Sequence, residues 1–196
     1  MAKRQRSISP KESQTALFSA PLTISRPDLI VDGSDDWLRD AIYRAVQALS
    51  RLVACREAFG RAIGLTGSQF TVIMGVAYRQ GDAGITIAAL SNYIGLASTH
   101  VTTEVGRLIE QGLLAKRPNK QDGRSVLISL TRRGEKAVQE VSPVVRSIND
   151  ILFKDIKRTD LAAVNEFATV LLVNSERALA EIRIAESAHG RNALRK

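Results

Sequence analysis

Apolar residues recur at three- and four-residue spacing through most of the chain after residue 33, and this pattern predicts a mainly helical protein. Ser34 is a suitable N-cap for a first long helix, which we expect to end between residues 60 and 64. Thr66 and Gln69 have the spacing of a capping box, so a second helix begins there and stops at Gly81. These signals predict one long helix followed by a shorter one.

The middle of the chain changes from helical spacing to alternation. We predict, in order, a very short strand at 85–86, helices over 87–94 and 98–112, and strands over 113–118 and 125–130. Gly95 provides the turn between the two compact helices, and residues 119–123 have the composition of a tight turn between the strands. Two helices followed by a hairpin with a cationic tip are typical of a DNA-binding domain, which presents one helix to a groove and a loop to the adjacent backbone.

The C-terminal part of the chain predicts two further helices. Thr131 caps a long helix that contains Pro143, which we expect to kink it, and Thr159 caps a final helix. The apolar stripes of the first helix and of these last two are longer than one small domain can cover, so we expect a homodimer with an interface built from both chain ends. The predicted fold class is mainly α with a small antiparallel β-hairpin, a winged helix-turn-helix with long dimerisation helices from both chain ends.

Changes in composition divide the sequence into five segments. They are a flexible or partly ordered N-terminal arm at 1–33, a dimerisation helix at 34–65, a winged helix-turn-helix DNA-binding domain at 66–134, C-terminal dimerisation helices at 135–186 and a basic tail at 187–196. The arm is rich in Ser, Pro and charged residues, which is typical of disorder or of an arm that reaches over a partner subunit or toward DNA. We expect it to be disordered at its start and ordered near its end.

The charge of the chain favours a polyanionic partner, since its formal net charge is +8. Residues 97–136 hold eight cationic and four anionic side chains, a net charge of +4. Residues 28–60 hold four cations and six anions, a net charge of −2. The positive charge is therefore concentrated on the predicted DNA-binding domain and not on the long helix before it.

The helix that begins near Ser98 carries the side chains best suited to contact a duplex. When Val101, Val105 and Leu108 face the core, the opposite face and its flanks present short donor and acceptor groups and one cation. The candidate DNA contacts on this helix are Ser98, Thr99, His100, Thr102, Thr103 and Arg107.

Two residues of the same helix have alternative interpretations. Gly106 costs about 1 kcal/mol of helix stability relative to Ala, so it either lets the backbone lie close to DNA or packs against another helix. Glu104 either accepts a hydrogen bond from a cytosine amino group or points sideways to a basic neighbour.

The hairpin tip predicts a second set of contacts. Asp122 and Arg124 flank a glycine in a tight turn, so we expect the carboxylate to hold the guanidinium by paired hydrogen bonds and to direct it into the minor groove. Lys116, Arg117 and Lys120 would contact phosphates. The competing interpretation of each of these cations is a solvated surface charge.

With these motifs the sequence resembles the MarR family of bacterial transcription regulators. The resemblance is carried by Leu90, the STHVTTEVGRLIEQGLL run from Ser98, the KQDGRSVLISLT run from Lys120, and Gly134. It implies a homodimer that binds double-stranded DNA at a palindromic operator, and repression that a small ligand relieves. Glu104, Gly106 and Ser125 depart from the residues often found at those positions in the family.

The resemblance also implies an effector site, because such regulators often bind aromatic or phenolic acids between the dimer helices and the DNA-binding domain. The candidate residues are Phe70, Met74 and Tyr78 as apolar walls, and Arg51 or Arg56 as the partner of a carboxylate. Ordinary core packing is the competing interpretation of the apolar residues.

Cys55 supports an alternative function, a regulator that senses oxidation, since some relatives carry a peroxide-sensitive cysteine in this region. The competing interpretation is an inert buried thiol. As the single cysteine of the chain, Cys55 excludes an intrachain disulfide and suits a reducing cytoplasm.

An enzyme is not indicated by the sequence. The two histidines, His100 and His189, lie far apart, no cluster has metal-ligand spacing, and the glycines near residues 60–67 lack the lysine of a phosphate-binding loop. No apolar run approaches the roughly 20 residues that cross a bilayer. We therefore expect no catalytic residue, metal, cofactor or membrane partner. A non-specific architectural DNA-binding protein is the less favoured alternative to a regulator.

Overall fold

A computed structural model describes the backbone of residues 18–193 and the side chains of residues 18–187. After a short 3-10 helix (Pro27–Leu29) the elements are α1 (Asp36–Ala62), α2 (Gly67–Arg79), β1 (Ile85–Thr86), α3 (Ile87–Ile94), α4 (Ser98–Glu110), β2 (Leu114–Pro118), β3 (Val126–Leu130), α5 (Arg132–Leu152) and α6 (Arg158–Ala193). The start of the predicted arm, residues 1–17, and the end of the basic tail, residues 194–196, lie outside the described residues. The predicted fold class is confirmed. The chain separates into two compact units, 1–58 and 59–196, with the boundary inside α1.

In the first unit a buried carboxylate joins the end of the arm to the start of α1. Asp35 is 1% exposed, and its Oδ2 accepts hydrogen bonds from the hydroxyl and the backbone N–H of Thr23 at 2.5 and 2.7 Å. These bonds, the hydroxyl's first, lower the pKa of the Asp35 carboxyl, and the Arg39 guanidinium, 2.5 Å from Oδ1, lowers that pKa further. The last residues of the arm are therefore held against the start of α1 by these contacts.

In the second unit the predicted helix signals are present as hydrogen bonds and backbone angles. The Thr66 hydroxyl accepts from the Gln69 N–H at 3.2 Å, and the Gln69 side chain accepts from the Thr66 N–H at 3.1 Å, which completes the capping box. Gly95 and Gly112 both have φ of 71°, the left-handed conformation that a glycine adopts without strain after a helix. The predicted end of α3 is confirmed, and α4 ends at Glu110, shortly before the predicted left-handed Gly112.

The core of the second unit is formed by α2, α3 and α4 together with the sheet. Its fully buried side chains come from all of these elements and include Val72, Ile73, Val76, Leu90, Val101, Leu108, Leu114 and Ile128. The Phe59 and Phe70 rings add a tilted contact with centroids 5.7 Å apart. Because α3 and α4 are held by this core, their outer faces are fixed relative to each other.

The three strands form an antiparallel sheet in the order β1-β3-β2. Ile128 lies opposite Ile85 on one side and Lys116 on the other, and it is 1% exposed. Val126, two residues earlier on β3, is 39% exposed. It is exposed because β2 and β3 continue past the core as a free hairpin, which we call the wing (residues 114–130).

The two C-terminal helices begin differently. The Thr131 hydroxyl accepts from the Gly134 N–H at 3.1 Å, so the predicted cap of α5 is confirmed, and Pro143 lies inside that helix. The predicted Thr159 cap of α6 is wrong, because the helix starts at Arg158 and the Lys157 N–H donates to Asp160 Oδ2 at 2.8 Å. Thr159 therefore lies inside the first turn of α6 and not at its cap. None of the described helices is long and apolar enough to cross a membrane.

Candidate DNA-binding surface

A pair of serines fixes the turn between α3 and α4. Ser91 donates from its hydroxyl to the Leu96 carbonyl at 2.5 Å, and the Ser98 hydroxyl donates to Ser91 Oγ at 3.1 Å. Ser91 is buried, whereas Ser98 lies at the exposed start of α4. The Ser98 hydroxyl, a predicted DNA contact, thus also holds the angle at which α4 leaves the turn.

The outer face of α4 is exposed from its first turn onward. Thr99, His100, Thr102 and Thr103 all have exposed side chains. The Thr102 hydroxyl donates to the Ser98 carbonyl at 2.7 Å, and the Thr103 hydroxyl donates to the Thr99 carbonyl at 3.1 Å. Their protons are therefore engaged within the helix, and both side chains present acceptor oxygens and methyl groups outward.

Glu104 and Arg107 form an ion pair along the flank of α4. Glu104 is 3% exposed, and its Oε1 accepts from Arg107 Nη1 at 2.7 Å, while the Arg107 side chain is 57% exposed. Of the two interpretations of Glu104, the structure has the side chain directed to a basic neighbour. The helical wheel carried a signal for this burial, because position 104 lies beside Val101 and Leu108.

Gly106 faces open space. An added Cβ would meet no atom within 4 Å in the described chain. Packing of Gly106 against another helix of the same chain is therefore not observed. Because Gly106 has no side chain, the backbone of α4 is not covered on this side, between Thr103 and Arg107.

Hydrogen bonds from its own side chains order the wing tip. Asn119 donates from its amide to Ser125 Oγ at 2.9 Å, and the Arg124 backbone N–H donates to Asp122 Oδ1 at 3.1 Å. The predicted bonds from Asp122 to the Arg124 guanidinium are wrong. A carboxylate reaches the backbone N–H two residues ahead more easily than the end of a long side chain. Asp122 thus shapes the turn from which Arg124 projects.

The wing carries exposed cations and one braced arginine. Arg117 Nη2 donates to the Ala83 carbonyl at 2.8 Å, which ties the hairpin to the loop before β1. Lys116, Lys120 and Arg124 are exposed, and none forms an ion pair within the part of the chain that the structure describes. Three unneutralised cations are therefore available to a polyanion beside α4.

The residues considered for an effector lie in different environments. Phe70 and Met74 are buried in the core, and Tyr78 is exposed at the wall of a cleft of about 770 Å³ that Arg117 and Lys120 also line. In the first unit, Arg51 and Arg56 are exposed on α1. Ligand access to Phe70 or Met74 would require a rearrangement of the core.

Cys55 is a free, partly exposed thiol on α1. Among the described residues, no group of three or more His, Cys, Asp or Glu side chains is arranged to hold a metal ion.

A second cleft, of about 640 Å³, lies between the end of α4 and the first turns of α5. It is lined by Glu110, Arg133, Lys136, Glu140, Val141 and Val144, among others. The sequence did not indicate this cleft, because its two walls are separated by the whole wing and no local motif links them.

A helix-turn-helix followed directly by a β-hairpin, with an exposed polar helix face beside free cations, defines a winged helix-turn-helix protein. The sequence pattern of a protein family described as the MarR family matches residues 63–125. The helix-turn-helix and most of the wing are therefore similar to the MarR family of transcription regulators.

Relatives of known name have similar length and fold. The transcriptional activatory protein BadR of Rhodopseudomonas palustris is 22% identical over 151 residues, which cover 76% of this chain and 86% of BadR. A structure of Bordetella bronchiseptica BpsR, whose DNA binding is regulated by 6-hydroxynicotinic acid, is 21% identical with a TM-score of 0.55 and covers 67% of this chain and 98% of BpsR. A MarR mutant from E. coli in complex with operator DNA is 22% identical with a TM-score of 0.53, covering 70% of this chain and 94% of that one.

Proposed function

We propose that this protein is a homodimeric transcription regulator that binds a palindromic operator, represses from it, and is released by a small acidic ligand. The observation that supports this most directly is the exposed polar face of α4 beside a wing with three unneutralised cations. Both features belong to the second unit, so one rigid domain can engage a groove and the backbone next to it.

The contacts divide by their chemistry. On α4 the side chains Thr99, His100 and Arg107 offer groups to base edges, with Thr102 and Thr103 as acceptors and methyl contacts, and Ser98 at the phosphate nearest the helix start. On the wing, Arg124 would enter the minor groove and Lys116 and Lys120 would bind phosphates. Arg117 and Asp122 shape the wing that carries them.

The homodimer is supported by apolar surface that the single chain leaves uncovered. On α6 no described side chain is buried, and ten large apolar side chains are 47–69% exposed: Leu161, Val164, Phe167, Val170, Leu171, Leu172, Val173, Leu179, Ile182 and Ile184. In the first unit α1 exposes Trp37, Ile42, Tyr43, Val46, Leu49 and Val53. Surface of this kind is covered by a partner, and a second copy would present two α4 helices with two-fold symmetry to a palindrome.

The effector is proposed to be a small organic acid, in line with the regulation of BpsR by 6-hydroxynicotinic acid. The cleft of about 640 Å³ has the size of a small-molecule site, and Arg133 and Lys136 at its wall can pair with a carboxylate. It adjoins the end of α4, so a ligand there can change the position of the helix that contacts DNA. A redox response through Cys55 is the alternative trigger. Measuring operator binding with peroxide in place of the organic acid distinguishes the two triggers.

The test of this function is the affinity for the protein's own upstream DNA against a scrambled duplex of equal length. A regulator should prefer its own operator by about a thousandfold or more, with a symmetric footprint, and small aromatic acids should weaken binding and raise the melting temperature. Equal affinity for both duplexes would indicate an architectural protein. Transcription from the bound promoter in vitro should fall, while a rise would show the activation that BadR is named for.

Replacement of the wing arginine gives a sharper prediction. Arg124→Ala should weaken operator binding about tenfold and reduce the slope of log K against log salt by about one unit for each wing engaged, because one counterion-releasing contact is lost. Fluorescence anisotropy over a salt series measures both. Arg124→Lys is the matched control, since it retains the charge and should retain the slope. An unchanged slope in Arg124→Ala would exclude contact between the wing tip and DNA.

A further inference from the structure

We propose that Glu104 is a positioning residue that sets DNA sequence specificity by holding Arg107 against the flank of α4. The proposal rests on the proposed function, because it assigns a role in reading the operator. It concerns a buried residue that is not itself expected to touch DNA.

Glu104 lowers the stability of the fold at its position. It is 3% exposed, it lies beside the core residues Val101 and Leu108, and its Oε2 is buried without a hydrogen-bond partner in the described chain. A buried carboxylate with half of its acceptor capacity unmet destabilises a fold relative to an apolar side chain of similar size. Departures from local packing rules of this kind are expected where function compensates for them.

The function that compensates for this loss of stability lies in the ion pair between Glu104 and Arg107. Glu104 Oε1 accepts from Arg107 Nη1 at 2.7 Å, whereas 57% of the Arg107 side chain remains exposed. One end of the guanidinium is thus held by a buried acceptor, and its other N–H groups form no hydrogen bond or ion pair among the described residues. An arginine held in this way loses little conformational freedom when it binds, and its planar group keeps one orientation.

The pairing also changes what Arg107 can recognise. A free arginine on this face would follow whichever phosphate is near and would strengthen binding to any sequence. Neutralised and anchored by Glu104, it contributes less to phosphate attraction, and its remaining N–H groups are placed for the paired acceptors of a guanine edge in the major groove. The Glu104 carboxylate, which is close in sequence to Thr103 and Gly106, thereby favours recognition of a particular base pair over attraction to any DNA sequence.

Glu104→Met tests this inference because it fills the same volume without the carboxylate. The unfolding midpoint in urea should stay equal or rise, while the preference for the operator over scrambled duplex should fall roughly tenfold and the salt dependence of scrambled-duplex binding should steepen. Glu104→Gln, which keeps the shape and one acceptor oxygen, should lose less of the preference. If Glu104→Met folds poorly, Glu104→Gln tests the same inference.

A double-mutant cycle separates positioning from simple packing. Arg107→Gln keeps a donor for Glu104 but cannot reach the duplex as arginine does. If Glu104 acts through Arg107, adding Glu104→Met to Arg107→Gln should leave the remaining preference unchanged. The same loss in both backgrounds, or a wild-type preference in Glu104→Met, would overturn the inference while the chain still binds its operator. A wild-type chain that prefers no duplex would instead overturn the proposed function.

Discussion

Ending the chain after Asp155 should give a monomer that binds the operator at least about a hundredfold more weakly than the full chain, because the two DNA-binding domains are no longer linked. The deletion removes α6, whose ten large apolar side chains between Leu161 and Ile184 are all exposed in the single chain. Sedimentation at micromolar concentration measures the mass, and anisotropy with a full palindrome measures the affinity.

The truncated chain should still fold, which makes the result interpretable. Every buried apolar side chain in the described part of the chain lies between Phe59 and Val141, so the core is left intact. A chain that ends after Ser187 is the matched control, since it keeps all ten exposed apolar residues of α6 and should remain dimeric. A truncation after Asp155 that sediments as a dimer and retains operator affinity would show that α6 is not the interface.

Gly134→Ala should lower the free energy of unfolding by about 3 kcal/mol, because the new methyl group has no room. A Cβ at position 134 would lie 2.1 Å from the carbonyl oxygen of Leu113, which is backbone and cannot move aside. The same carbonyl accepts the Thr131 N–H at 3.1 Å, so displacement would also disturb the corner that joins the wing to α5. Urea unfolding followed by circular dichroism measures the change.

Gly106→Ala is the control for a glycine-to-alanine change inside a helix. Its Cβ would enter open space, so the intrinsic helix propensity of alanine should raise stability by about 1 kcal/mol. Opposite signs for the two substitutions are therefore expected from the same chemical change. Equal effects would mean that the contact between α5 and the Leu113 carbonyl does not determine stability.

Local signals in the sequence predicted the elements well. The capping box at Thr66, the left-handed glycines at 95 and 112, and the Thr131 cap all act within one helical turn, so each could be recognised from neighbouring residues alone. The short strand at 85–86 and the two wing strands were also predicted within one residue of their observed ends. The predicted Thr159 cap was wrong because the helix begins one residue earlier, at Arg158, where the Asp160 carboxylate accepts the Lys157 N–H.

The chemistry of the candidate site was predicted in outline, and its internal contacts were not. The sequence indicated that Thr99, Thr103 and Arg107 face outward with His100 at the flank, since that follows from helical geometry. It did not indicate that Ser98 bonds Ser91, that Arg117 braces the wing on Ala83, or that Asp122 holds a backbone N–H rather than a guanidinium. Each of these depends on which of several acceptors within reach is closest.

By itself the sequence determined the order of helices and strands, the polar face of α4, the cationic wing and the apolar stripe of α6, because these follow from periodicity and capping over a few residues. Only the tertiary structure decided how completely Glu104 is buried, that Gly134 contacts the Leu113 carbonyl, and that a cleft opens between α4 and α5. The physical reason is that burial and close approach are set by side chains from segments distant along the chain, and these meet only when the core closes.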